Sequence, residues 1–220
     1  PIGMLTERDM LRHLAAAPSN HLLVEQAMSA PVVTAPPETP FAEAWGQMNA
    51  RKLRHLVVVD AAGRAIGLAS EGDFRRHIDI GLTTTLVELT DVIEHNMPRV
   101  LPQTPVADAL RQMVMQGSSY VIATVDGKAT GLLTERDVPA LLAHSAETGQ
   151  RPQRVADVMR HPVPSVTPHT TIMDAVQAMQ TLDTHHLAVV DEHGNLTGVV
   201  HQPSLMLRLG LLLEHWYLHE

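Results

Sequence analysis

Three times in this chain a hydroxyl residue is followed three places later by an aspartate, just behind a glycine and two apolar residues. The runs are GMLTERD at Gly3 to Asp9, GLASEGD at Gly67 to Asp73 and GLLTERD at Gly131 to Asp137, which set Thr6 with Asp9, Ser70 with Asp73 and Thr134 with Asp137. Each pair opens a helix-forming stretch, and two kinds of chemistry are open to it. The hydroxyl and the carboxylate can close a capping box on the first turn. Alternatively, the carboxylate accepts from a ligand's hydroxyls while the hydroxyl and the first-turn N–H groups hold an anion. A fourth copy, GVVHQPS at Gly198 to Ser204, carries His201 for the hydroxyl and Ser204 for the aspartate, so its charged acceptor is missing.

The elements that must position these groups repeat with them. The leading glycines recur after 64, 64 and 67 residues, a spacing too long for a solenoid turn and suited to a small domain copied four times. Thr39-Pro40, Thr104-Pro105 and Thr170-Thr171 each read as an N-cap and first helical residue, with Glu43, Asp108 and Asp174 in the first turn. Apolar stripes follow at helical spacing: Phe41, Ala44, Trp45 and Met48; Val106, Leu110, Met113 and Val114; Ile172, Val176 and Met179. Next come β-rich runs, His55 to Val59, Tyr120 to Val125 and His186 to Val190, each ending in an Asp and a glycine-containing turn. A second strand leads into the glycine run and another helix follows, as at Glu135 to Ala143. The expected fold class is α/β (α+β), with a β-α-β-β-α unit.

The lines PVVTAPPETPFAEAWGQMNARKLRHLVVVDAAGRAIGLASEGD and PSVTPHTTIMDAVQAMQTLDTHHLAVVDEHGNLTGVV closely resemble CBS (cystathionine-beta-synthase type) domains, and the resemblance covers nearly the whole chain. It implies tandem repeats that pair into a Bateman module with a pseudo-twofold axis. By this reading residues 1–20 are the closing strand and helix of a first repeat that lacks its opening half. Residues 24–81, 84–143 and 155–210 are the second, third and fourth repeats, and 211–220 is a C-terminal helix leading toward an output domain. The first two copies would form one module, and the polar stretch Ala143 to Arg154 would link the last two.

The resemblance also implies a ligand. In the family the hydroxyl and aspartate of the glycine run contact the ribose and phosphates of AMP, ADP, ATP or a related adenosyl compound, which nominates Thr134, Asp137, Ser70, Asp73, Thr6 and Asp9. Basic residues before the inner strand can reach phosphates bound by the partner repeat; here these are Arg54 and His55, and His185 and His186. The third repeat departs from that pattern with Ser119 and Tyr120. Residues before each first helix can border an adenine, which nominates Thr34, Val100 and Leu101, with Val33, Val166 and Thr167 at matching places. The third repeat alone has both the motif and an intact partner, so it is expected to hold the best site.

Composition narrows the remaining choices. A formal charge of -8 disfavours binding to nucleic acid, whose affinity comes largely from Lys and Arg neutralising phosphates. With no cysteine there is no thiolate nucleophile and no disulfide framework. No apolar run approaches the roughly 20 residues of a membrane helix, so no membrane association and a cytoplasmic setting are expected. G-x-G-x-x-G, the P-loop, H-E-x-x-H and G-x-S-x-G are all missing, so catalysis is not expected. His215 and His219 lie four apart on a helical stretch but lack a third ligand of meaningful spacing, and no metal site is assigned. The apolar tail Leu205 to Glu220 expects burial. The expected function is a regulatory sensor that binds an adenine nucleotide, takes no other cofactor, forms a homodimer and controls an effector domain in the same full-length chain. The rival readings are a structural or dimerisation module and the cytosolic regulatory region of a transporter or channel.

Overall fold

The computed structural model describes residues 1–16, 22–51, 53–73, 87–149 and 153–208. These fall into two compact units, the first within Pro1–Thr6 and Leu23–Ile80, the second within Glu7–Leu22 and Gly81–Glu220.

The first unit holds a short helix at Val24–Ala27 and one copy of a three-stranded sheet with its helix. Strands β1 (Thr34–Ala35), β2 (His55–Val59) and β3 (Ala65–Ser70) lie in that order, β1 parallel and β3 antiparallel to β2. The helix Phe41–Ala50 lays Ala44 and Met48 against Ala35 and Leu56 to make the core.

The second unit repeats this pattern twice. Strands β4 (Arg99–Val100), β5 (Tyr120–Val125) and β6 (Lys128–Thr134) form one sheet, and β7 (Ser165–Val166), β8 (His186–Val190) and β9 (Leu196–His201) another, each in the same order and sense. Numbering the long helices in chain order, α1 is Glu7–Ala15, α2 is Phe41–Ala50, α3 is Val106–Gln116, α4 is Val138–Thr148 and α5 is Ile172–Thr181. The alternation of β5 explains its two-sided burial. Val121 and Ala123 face the core under α3 and α4, whereas Tyr120 and Ile122 meet Leu132 and, from the other half, Ala188, Leu196 and Val199. The sheets of the two halves are therefore packed on each other through alternate residues of the same strands.

Turn chemistry follows the residues at the strand ends. Asp126 and Gly127 both take positive φ, 49° and 79°, which lets two residues close the β5–β6 hairpin. Asp60 and Asp191 instead accept backbone N–H groups within their own loops, from Ala62 and Arg64 and from His193 and Asn195.

Several expectations change in detail. Helices α2, α3 and α5 begin one residue later than the sequence suggests, after Pro40, Pro105 and Thr171. Thr171 does cap α5, its Oγ1 accepting from Asp174 N at 3.1 Å. Thr104 and Thr170 serve the preceding turns, their Oγ1 atoms accepting from Leu101 N and Thr167 N at 3.0 and 3.1 Å. Helix α4 runs on to Thr148 and stops at Gly149, whose φ of 68° ends it, so residues expected in a linker from Ala143 are helical. Helix α1, assigned to the first repeat, buries Leu11 and Ala15 in the second unit among Val106, Leu110, Val138 and Leu141. The closing helix of the second repeat, the start of the third near residue 84 and the tail from residue 209, including His215 and His219, lie outside the described residues. Among the described residues no helix is long and apolar enough to cross a membrane.

Candidate functional site

The two halves of the second unit exchange their opening segments. Arg160, two residues before Pro162, pairs with Leu132 on β6, and Glu94 pairs with Val199 on β9. Gly131 permits the first approach, because a Cβ there would run into the Met159 side chain; Gly198 permits the second, against Ile93 and the Glu94 carbonyl. Each closing strand thereby forms one wall of a cleft whose other wall belongs to the opposite half.

The first of these clefts encloses about 320 Å³, at the lower end of the range for small-molecule sites. From the third repeat it receives Leu132, Thr134, Arg136 and Asp137, and from the fourth Arg160, Asp183, Thr184, His185 and His186. Local structure sets each group. Thr134 N and Oγ1 both donate to Asp137 Oδ2, at 2.7 and 2.8 Å, so the carboxylate is fixed at the start of α4 while Oδ1 has no hydrogen-bond partner among the described residues. The Arg160 guanidinium donates to the carbonyls of Leu182 and Asp183, at 2.6 and 3.0 Å, across the end of α5. Asp183 has a φ of 44°, a left-handed conformation that Asp tolerates better than most residues. Thr184 Oγ1 donates to His186 O at 3.0 Å and turns the chain into β8. His186 is buried; its Nε2 shares a 2.9 Å hydrogen bond with Ser119 Oγ, and its ring lies 4.9 Å from that of Tyr120.

Of the residues nominated from sequence, the structure brings Thr134, Asp137, His185 and His186 together on this cleft. In the first unit Ser70 and Asp73 make the same pair, Ser70 N and Oγ donating to Asp73 Oδ2 at 2.8 and 2.6 Å. Beside them His55 stands opposite Ser70 in the β2–β3 register, and Arg54 O accepts from Glu71 N. Thr34 sits in β1 opposite Val57. Thr6 lies in the first unit and Asp9 in the second.

Three other nominations lie away from this cleft. Asp9 is only 4% exposed and accepts from the Arg12 guanidinium at 3.5 Å. Val100 is a core residue packed with Leu110 and Val121, which the short strand β4 requires of its inward position. Leu101 is exposed, but its N–H is spent on Thr104 and it does not line the cleft. Sequence reasoning missed Arg160, Arg136, Asp183 and Thr184. Arg136 stands inside the motif already singled out, and Arg160 is a cation two residues before a proline in the opening segment of the fourth repeat; the strand exchange that carries it into the cleft has no local signature.

Comparison with known proteins agrees with this geometry. The model of the CBS domain matches residues 24–80, 89–143 and 155–210, more than half of the chain. The uncharacterized protein MJ1404 of Methanocaldococcus jannaschii is 26% identical over 191 residues, which are 84% of this chain and 43% of that protein, so the chain spans less than half of that relative's length. Among solved structures, protein MJ1225 of Methanocaldococcus jannaschii, proposed as an archaeal homologue of g-AMPK, superposes with a TM-score of 0.79 at 18% identity, over 94% of this chain and 83% of that one. CBSX2 in complex with AMP matches with a TM-score of 0.51 at 23% identity, over 58% of this chain and 98% of that one. Exchanged opening segments, the repeated strand order and the glycine runs at their ends thus coincide with the matched residues, and the chain belongs to the CBS domain family.

Proposed function

We propose that this chain is a regulatory ligand-sensing module that binds an adenine nucleotide or a related adenosyl ligand in the cleft between the third and fourth repeats. The observation that carries the reading is the composition of that cleft. Asp137 Oδ1, without a hydrogen-bond partner among the described residues, can accept from ribose hydroxyls, while Arg160, Arg136 and His185 on the facing and adjoining walls can donate to phosphate. The AMP complex of CBSX2, a protein of the same fold, supports the choice of ligand. In this reading the chain is not an enzyme, works in the cytoplasm as a homodimer, and passes its state to an effector domain of the same full-length protein. Regulation follows if the nucleotide prefers one arrangement of the repeats over another.

One observation favours a second, purely structural reading: Thr134 and Asp137 form a reciprocal capping box, Asp137 Oδ2 accepting from Thr134 N while the Thr134 side chain accepts from Asp137 N. A thermal-shift panel of AMP, ADP, ATP, GTP and S-adenosylmethionine, followed by calorimetry, separates the two. A ligand at 100 times its dissociation constant adds about 2.7 kcal/mol to native stability. A rise in melting temperature with an adenosyl ligand but not with GTP supports the sensor; no shift with any of the five supports the structural module.

A further inference from the structure

The second unit has two clefts by symmetry, and the residues at matching places can be paired from contacts alone. Thr134 stands opposite Tyr120 in the β5–β6 register, as His201 stands opposite His186 in β8–β9. Glu135 N donates to Ser119 O, as Gln202 N donates to His185 O. Ser118 Oγ donates to Tyr120 O, as Thr184 Oγ1 donates to His186 O. Arg160 pairs with Leu132 as Glu94 pairs with Val199.

At one of these pairs the charge reverses, and at others the charged or basic group is lost. Where the first cleft has Arg160 its twin has Glu94, and where the first has His185 and His186 the twin has Ser119 and Tyr120. Arg136 is matched by Pro203, Thr134 by His201 and Asp137 by Ser204. The Glu94 carboxylate is not idle: its Oε2 accepts from Tyr120 OH at 2.8 Å and lies 3.9 Å from His201 Nε2. Ser204 Oγ is turned back onto His201 O at 2.8 Å. Burial pushes the His201 pKa down, with the nearby Glu94 opposing it, so the imidazole of His201 is held away from the cationic form.

We infer that the second unit takes a single anionic ligand, in the cleft of Thr134 and Asp137, and that Glu94 is the residue that closes the twin to phosphate. The inference rests on the nucleotide reading of the first cleft. A phosphate in the twin would meet a carboxylate where the first cleft offers a guanidinium, and would have to break the Tyr120–Glu94 hydrogen bond to enter.

The test uses the whole chain and ATP. Calorimetry compares the parent with the variant Glu94→Arg, His201→Thr, Ser204→Asp, and photolabelling of the parent with 8-azido-ATP, followed by peptide mapping, locates occupied sites. One additional equivalent of ATP in the variant supports the inference, as does labelling of the second unit confined to the peptides of Thr134–Asp137 and Arg160–His186. An unchanged count in a variant whose melting shows it folded overturns the inference while the nucleotide reading stands. Labelling of the parent near Glu94 or His201 does the same, whether or not the variant folds. A parent that binds no ATP or AMP overturns the underlying reading, and the inference with it.

Discussion

Replacing Asp137 by alanine separates a ligand from a helix cap, because the carboxylate's two oxygens are committed differently. Oδ2 accepts from Thr134 N and Oγ1, and that arrangement resembles other N-terminal caps, whose loss costs about 1 kcal/mol of stability. Oδ1 is the atom available to ribose. Hydrogen bonds to a charged group contribute about 1.5 to 3 kcal/mol each. Losing one such contact therefore weakens binding by about ten- to a hundredfold. Asp137→Ala should show both effects, a small fall in melting temperature without ligand and the loss of affinity. Asp137→Asn keeps an uncharged acceptor for Thr134, so it should melt near the parent while still binding more weakly. Calorimetry with AMP on all three proteins, beside melts without ligand, reads the two effects separately. Equal affinities for Asp137→Ala and the parent, with folding intact, would refute the argument and leave Thr134-x-x-Asp137 as a cap alone.

Three further outcomes follow from the described geometry. Tyr120→Phe removes the hydroxyl that Glu94 accepts; Glu94 is half-exposed and recovers water, so the expected loss is at the low end, about 1 kcal/mol in denaturant unfolding. The folded-state pKa of His201 lies below its ordinary value of 6.5, so the unfolded chain binds more protons as pH falls through that value. Stability should be full above about pH 6.5 and decline below it; His201→Asn should flatten that part of the curve, and an unchanged slope would remove His201 as the cause. Gly198→Ala forces a Cβ against branched Ile93 and the Glu94 carbonyl, whereas Gly131→Ala meets the unbranched Met159 side chain. The first should cost about 1 to 3 kcal/mol and the second clearly less, as read by thermal melts.

Local patterns in the sequence carried most of the fold. Strands β2, β5 and β8 start where the β-rich runs start, and the Asp-Gly turn at Asp126 closes the shortest hairpin. Helix starts slipped by one residue because Thr104 and Thr170 could serve either the helix or the turn before it, and the turn won. The half of the cleft that lies in one repeat was legible for the same reason: Thr134 and Asp137 are three apart on one turn. The other half depends on Arg160 crossing to Leu132. Such pairings join residues distant in sequence, and their partners are chosen by shape, as with Gly131 and Met159. The burial of Val100 was not legible, because a two-residue strand shows no alternation from which its inward face can be read.

A pair of matching clefts would let two ligands push symmetrically on the same packed sheets, and the divergence of the repeats changes that. Residues at the centre serve both sides: Ser119 and Tyr120 belong to the twin by position, yet Ser119 holds His186, which lines the first cleft. Tyr120 in turn reaches Glu94 in the twin. A ligand that moves His186 therefore acts on Ser119 and the Tyr120 ring directly, and through them on a hydrogen bond that occupies the opposite cleft. Because the twin is held by its own side chains, it supplies no second ligand to oppose the movement. The free energy for a shift then comes from one site, as the difference between the ligand's affinities for the two arrangements. A one-sided load on a nearly symmetric core favours an asymmetric response, and Tyr120→Phe, by cutting the central connection while leaving the Thr134–Asp137 cleft intact, should preserve nucleotide affinity within a few-fold while weakening whatever change the nucleotide causes around His201.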